Sequence, residues 1–162
     1  MKGYGGKILF VDLGDGGTRV ESVSEDMARG YLGGNGFAAR LLYRHVGRGV
    51  DPFDPANSVV FAVGPITDTT VPGNSRACVA SKSPLTGLFF DSTFGGRFPA
   101  TQKRTGFDAI CITGRAREPV YLKVTEAGAR LEPARALWGK TTREAVEAIQ
   151  AAEGGDADVM AI

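Results

Sequence analysis

The chain is 162 residues long, 43% hydrophobic and 23% charged, with a formal net charge of +1. That length suits one ordinary domain around one core, and the composition is globular rather than disordered. The near-neutral balance gives no electrostatic basis for nucleic acid or an anionic membrane surface, and no apolar run approaches the roughly 20 residues that cross a bilayer.

The N-terminus, MKGYGGKILF, has no apolar stretch and cleavage site of the secretory kind, so a cytoplasmic location is expected. Lys7–Leu13 is apolar and rich in strand formers, Gly14–Gly17 is a turn, and Thr18–Val23 alternates; residues 7–23 are expected as a hairpin. Ser24 then caps a short helix with Glu25 and Asp26 in its first turn. That helix stops at Leu32-Gly33-Gly34, and a second runs from about Gly36 to Val46, with Phe37, Ala38, Leu41, Leu42 and His45 at helical spacing. Gly33-Gly34-Asn35-Gly36 is either a helix stop followed by a new start or an anion-binding helix N-terminus. His45, the single histidine, is read as a capping or core residue because no acidic or nucleophilic partner is near it in sequence.

Pro52 and Pro55 keep residues 47–57 out of helix. Ser58–Gly64 is expected as a buried strand. The stretch Gly64–Gly96 follows, in which Ala77–Ala80 and Leu88–Phe90 flank a polar turn, Ser81–Gly87, as a hairpin with a long ordered loop. Gly96–Thr105 is expected as a short helix carrying Arg97, Lys103 and Arg104 on a solvated face, and Phe107–Thr113 as another buried strand. Val120–Val124 and Arg130–Glu132 make a hairpin around Glu126-Ala127-Gly128. Thr141-Thr142-Arg143-Glu144 is a capping box that starts the last helix, whose apolar face holds Ala145, Ile149 and Ala152. Asp158–Ile162 is expected to open a further strand. The strands of residues 58–63, 77–80, 88–90 and 107–113 should share a core with Leu41 and Ile149. The expected class is α+β, with mixed sheets and three to four interleaved helices.

Cys78 and Cys111 lie far apart in sequence, each within an apolar run, so packing is their expected role. No Ser/His/Asp set, metal-spaced His/Cys cluster or carboxylate pair stands out. The more informative pattern is Gly95-Gly96 with Arg76: exposed glycine backbone plus a planar fork of donors suits a large anionic ligand.

Five blocks occur in register along the chain. They are Gly6-Lys7-Ile8-Leu9-Phe10-Val11-Asp12-Leu13, Tyr31-Leu32-Gly33-Gly34-Asn35-Gly36, the Gly64–Gly96 stretch with GPIT, G-x-x-R, SKSPLTG and a double glycine, Gly106-Phe107-Asp108-Ala109-Ile110, and Leu137-Trp138-Gly139-Lys140. Together they resemble the first domain of the tungsten-containing aldehyde ferredoxin oxidoreductases. The resemblance implies a tungsten ion held by two pterin cofactors beside a [4Fe–4S] cluster, in an enzyme that oxidises aldehydes to carboxylic acids and passes electrons to ferredoxin. Arg76 matches the family arginine that contacts pterin, Gly95 matches a glycine whose backbone meets it, and Gly96 completes that pair. Thr93 falls where the family uses Asn, keeping a donor and an acceptor but losing the second arm of the amide; Asp91 lies on the same segment. The family chain is several times longer. Residues 1–162 are therefore expected to be a single, incomplete, cofactor-cradling N-terminal domain. Its cluster ligands, second pterin grip and remaining domains would lie elsewhere, in the same polypeptide or a separate chain. Alone it should be inactive and self-associate. A scaffold that kept the fold without the cofactor, and a phosphate binder using Gly33–Gly36, are the alternatives.

Overall fold

The computed structural model describes residues 1–162. Its order is β1 (Lys7–Asp12), β2 (Thr18–Ser22), α1 (Glu25–Tyr31), α2 (Asn35–His45), β3 (Val59–Val63), β4 (Ala77–Lys82), β5 (Phe89–Phe94), α3 (Phe98–Arg104), β6 (Phe107–Thr113), β7 (Val120–Thr125), β8 (Gly128–Pro133) and α4 (Thr142–Glu153), with a 3-10 turn at Arg135–Leu137. This is the expected α+β class.

Six strands form one mixed sheet in the order β2-β1-β6-β3-β4-β5, and β7-β8 form a separate hairpin. β1 runs parallel to β6, and every other neighbouring pair is antiparallel. β1 and β6 are nearly continuous apolar runs because the middle of the sheet is covered on both faces. On one face, Ile8, Phe10, Val60, Ala62, Cys78, Ala80, Ala109 and Cys111 meet Phe37, Ala38, Leu41 and Leu42 of α2. On the other, Leu9, Val11, Phe107 and Ile110 are covered by Leu122, Val124, Ala129 and Leu131 of the β7-β8 hairpin. Each large side chain so buried is worth about 1.5–3 kcal/mol.

The helix starts are as the sequence indicates. Ser24 Oγ accepts from Met27 N at 3.1 Å, and Thr141 and Glu144 close a reciprocal capping box. A Cβ on Gly36 would sit 2.0 Å from the Tyr31 carbonyl oxygen, so the tight α1–α2 joint requires glycine there.

Four expectations are corrected. Residues 158–162 form no strand; Asp158 instead accepts from Thr101 Oγ1 of α3 and lies 3.5 Å from Arg97 Nε. Ile149 is only half-buried and does not join the core with Leu41, because α4 lies off the main sheet, and its Glu153 accepts from Tyr121 OH at 2.6 Å on β7. Leu88 belongs to the turn, β5 begins at Phe89, and Phe89 and Phe90 are exposed on this edge strand instead of sharing the core. Lys103 is not on a solvated face: it is 11% exposed and paired at 2.6 Å with the fully buried Asp108.

Candidate functional site

β5 is the free edge of the sheet, and its helix-side face extends beyond the cover of α2. In an antiparallel ladder, opposed residues share a face. Thr93 opposes Cys78 and Asp91 opposes Ala80, so both point to the α2 side. Arg76 enters β4 on that side. Its Cδ and Nε lie 3.9 and 4.0 Å from where a Cβ on Gly95 would be. Ser75 Oγ donates to the Gly96 carbonyl and fastens the double glycine to the segment that carries Arg76. Gly96 has φ +85°, with open space around it.

Arg76, Thr93, Gly95 and Gly96 are thus placed on two adjoining segments at one sheet edge. Arg76 is exposed, and its guanidinium has no ion pair or hydrogen bond within the protein. By contrast, Arg104 is forked onto Asp68 by two 2.8 Å bonds and Arg135 onto Glu118 by two 2.9 Å bonds. A free guanidinium beside bare glycine backbone is ready to donate to a planar or phosphate-bearing anion.

Asn35, at the start of α2, donates to Asp91 Oδ2 at 2.8 Å. That contact, with Gly34 N spent on Val63 O at 3.0 Å and Gly36 N on Gly33 O at 3.0 Å, speaks against the phosphate-binding reading of Gly33–Gly36. Gly33 N is likewise spent, on Tyr31 O at 2.7 Å, and the Asp91 carboxylate stands at the approach. The glycines serve close packing instead: a Cβ on Gly33 would stand 3.0 Å from Val63 O and 3.1 Å from Gly64 Cα.

A cleft of about 590 Å³ opens between Phe94, Gly95, Phe98, α4 and the segment Val159–Ala161. It shares Gly95 with the Arg76 group but takes in neither Arg76 nor Thr93. A second, about 410 Å³, is lined by Asp12, Arg19, His45 and Cys111. His45, half-buried at the end of α2, stands edge-on to Phe10, with ring centroids 5.0 Å apart. Burial, with the charges of Arg44 and Arg19, holds its pKa below the ordinary value.

Cys78 and Cys111 are both buried and free. Burial pushes each thiol up to about 11, with Asp91 adding to the rise at Cys78. They stay protonated and unreactive at neutral pH. No group of three or more His, Cys, Asp or Glu side chains is arranged to hold a metal ion.

Sequence reasoning passed over the residues that support Arg76. Thr67, 3% exposed, donates through its hydroxyl to the Arg76 carbonyl at 3.1 Å and accepts from Gly64 N at 3.2 Å. Asp108, 0% exposed, accepts from Gly5 N, Gly6 N and Lys103 Nζ. An Asp inside the apolar run FDAICIT was a usable signal, since a carboxylate in a buried strand must find donors. Thr67 stood in the GPIT block, but a loop hydroxyl has no periodicity that assigns it a partner.

A family model for the N-terminal domain of aldehyde ferredoxin oxidoreductase matches residues 8–162. The chain belongs to the aldehyde ferredoxin oxidoreductase family. It is 42% identical over 159 residues to the tungsten-containing aldehyde ferredoxin oxidoreductase of Pyrococcus abyssi, and 40% identical over 159 residues to that of Pyrococcus horikoshii. Those matches take in 98% of this chain and 26% of each relative, so the chain spans about a quarter of their length. Among solved structures, the active-site complex BamBC of benzoyl coenzyme A reductase superposes with a TM-score of 0.90 at 32% identity, over 93% of this chain and 23% of that one. Membership places the chain in an oxidoreductase family. No helix is long and apolar enough to cross a membrane.

Proposed function

We propose that residues 1–162 form the cofactor-cradling N-terminal part of a cytoplasmic enzyme that oxidises aldehydes to carboxylic acids and passes the electrons to ferredoxin. The cofactor would be a tungsten bis-pterin, with a [4Fe–4S] cluster ligated by residues outside this chain. The observation that carries the reading is the unpaired Arg76 guanidinium beside Gly95. The donor set fits such a group. Arg76 offers a charged fork, Thr93 a hydroxyl, and Gly95 and Gly96 an exposed backbone that a flat ring system can approach. The bound metal centre would supply the two-electron chemistry; these residues bind and orient it.

Cys78 and Cys111 cannot supply a cluster, which takes several accessible thiolates. The chain alone is therefore inactive in this reading, and the rest of the enzyme is its partner. The uncovered β5 edge, with Leu85 93% exposed and Leu88 69% exposed at its turn, is the surface through which the isolated chain self-associates. The test is made in the whole enzyme. Arg76→Ala should lower bound tungsten and pterin, measured by elemental analysis and by fluorescence of the released pterin, while exposed Arg117→Ala leaves both unchanged. Equal, full loading of all three proteins would refute the assignment of Arg76.

A further inference from the structure

The Gly64–Arg76 loop crosses from the end of β3 to the start of β4, and α3 grips it at two points. Lys103 Nζ donates to the Gly64 carbonyl at 3.2 Å, and Arg104 is forked onto Asp68. Between those anchors sits Thr67. Its hydroxyl is buried and uses both its capacities, accepting from Gly64 N and donating to Arg76 O. Its own N–H donates to Gly64 O at 3.2 Å. One side chain therefore joins the last residue of β3's exit to the residue that opens β4. On the far side, Arg76 N donates to Asn74 O at 2.8 Å. Both peptide groups flanking the Arg76 Cα are thus fixed, and they set the direction in which its side chain leaves the backbone. The guanidinium itself has no protein partner, so nothing beyond its own stem and the backbone aims it.

We infer that Thr67 is the positioning residue of Arg76: its hydroxyl fixes the Arg76 peptide so that the guanidinium stands over Gly95, turned toward an anionic, phosphate-bearing ligand. The inference rests on the assignment of Arg76 as a ligand-binding residue, but its geometry can be tested separately. A methyl in place of the hydroxyl keeps the shape of Thr67 and removes both hydrogen bonds, whereas Ser keeps the bonds and removes the methyl.

The experiment uses the 162-residue chain, its Thr67→Val and Thr67→Ser variants, and Arg76→Ala. Two quantities are read: the order of the Arg76 Nε–H by heteronuclear NOE, and the affinity for inorganic pyrophosphate at low ionic strength. Thr67→Val should lower the Arg76 NOE and weaken pyrophosphate about three- to tenfold, the range of one lost hydrogen bond. Thr67→Ser should restore both to within about twofold of wild type. A purely structural Thr67 would change melting temperature without moving the Arg76 NOE, and that result overturns the inference. Pyrophosphate affinity unchanged in Arg76→Ala would instead refute the ligand-binding role of Arg76, and the NOE comparison would still decide the role of Thr67. Should Thr67→Val fail to fold, the wild-type Gly64 amide decides. It donates to the buried hydroxyl and must exchange slowly; fast exchange in the folded wild type overturns the inference.

Discussion

Replacing Asp108 by Ala should be among the most damaging single changes in this chain. The carboxylate is fully buried and accepts three hydrogen bonds: from Gly5 N at 3.1 Å, Gly6 N at 2.6 Å and Lys103 Nζ at 2.6 Å. Lys103 is itself 11% exposed and stands 5.6 Å from the centre of the Tyr4 ring. Ala at position 108 leaves that ammonium buried with only the Gly64 carbonyl as acceptor and orphans two backbone N–H groups. Breaking one side of a buried ion pair costs about 3–5 kcal/mol. The stranded N–H groups are part of that figure rather than an addition to it, because the N-terminal segment can move to reach water. For a chain of this size 1 kcal/mol shifts the melting temperature by about 2–4 °C, so a fall of roughly 6–20 °C is expected. Urea and thermal unfolding would measure it. The double variant Asp108→Ala/Lys103→Met should recover a substantial part of the loss, since the uncompensated charge is then gone. If Asp108→Ala lies within about 1 kcal/mol of wild type, or the double variant is no better than the single one, the reasoning fails. The same pair holds Gly64 O, one end of the loop that carries Thr67 and Arg76, so Asp108→Ala should also loosen Arg76.

Two further outcomes follow from the titrating groups. Cys78 and Cys111, both pushed up to about 11 by burial, should react very slowly with a thiol-reactive chromogen at about pH 8 in the native chain and promptly once it is unfolded; a fast native thiol would contradict the burial described. His45 is held below its ordinary value of 6.5, first by burial and then by Arg44 and Arg19, with Glu21 opposing. The unfolded chain therefore binds this proton more readily than the folded one, so the His45 contribution is complete above pH 6.5 and is lost as pH falls through the lowered folded value. The urea midpoint should drop between about pH 7.5 and about pH 5.5, and His45→Gln should flatten that step; an identical step in the variant would assign it elsewhere.

The sequence alone determined most of the elements. Apolar runs, glycine stops and caps are local signals, and a strand such as Phe107–Thr113 or the Thr141–Glu144 box forms where its own residues say it should. The motif blocks in register likewise carried the family. Tertiary structure decided what depended on partners distant in the chain. Asp158–Ile162 has strand-forming residues but no neighbouring strand to pair with, and strand pairing is a property of two segments. Ile149 sits on a well-marked apolar stripe, yet which surface a stripe meets is set by topology, and α4 lies off the main sheet. Lys103 and Asp108 lie five residues apart on different elements, with no helical spacing to link them, and only the turn from α3 into β6 brings them together. Arg76 and Gly95 were legible as chemistry, but not the hydroxyl of Thr67 that fixes the Arg76 backbone. That contact spans nine residues of irregular loop, where no periodicity records which side chain closes the turn.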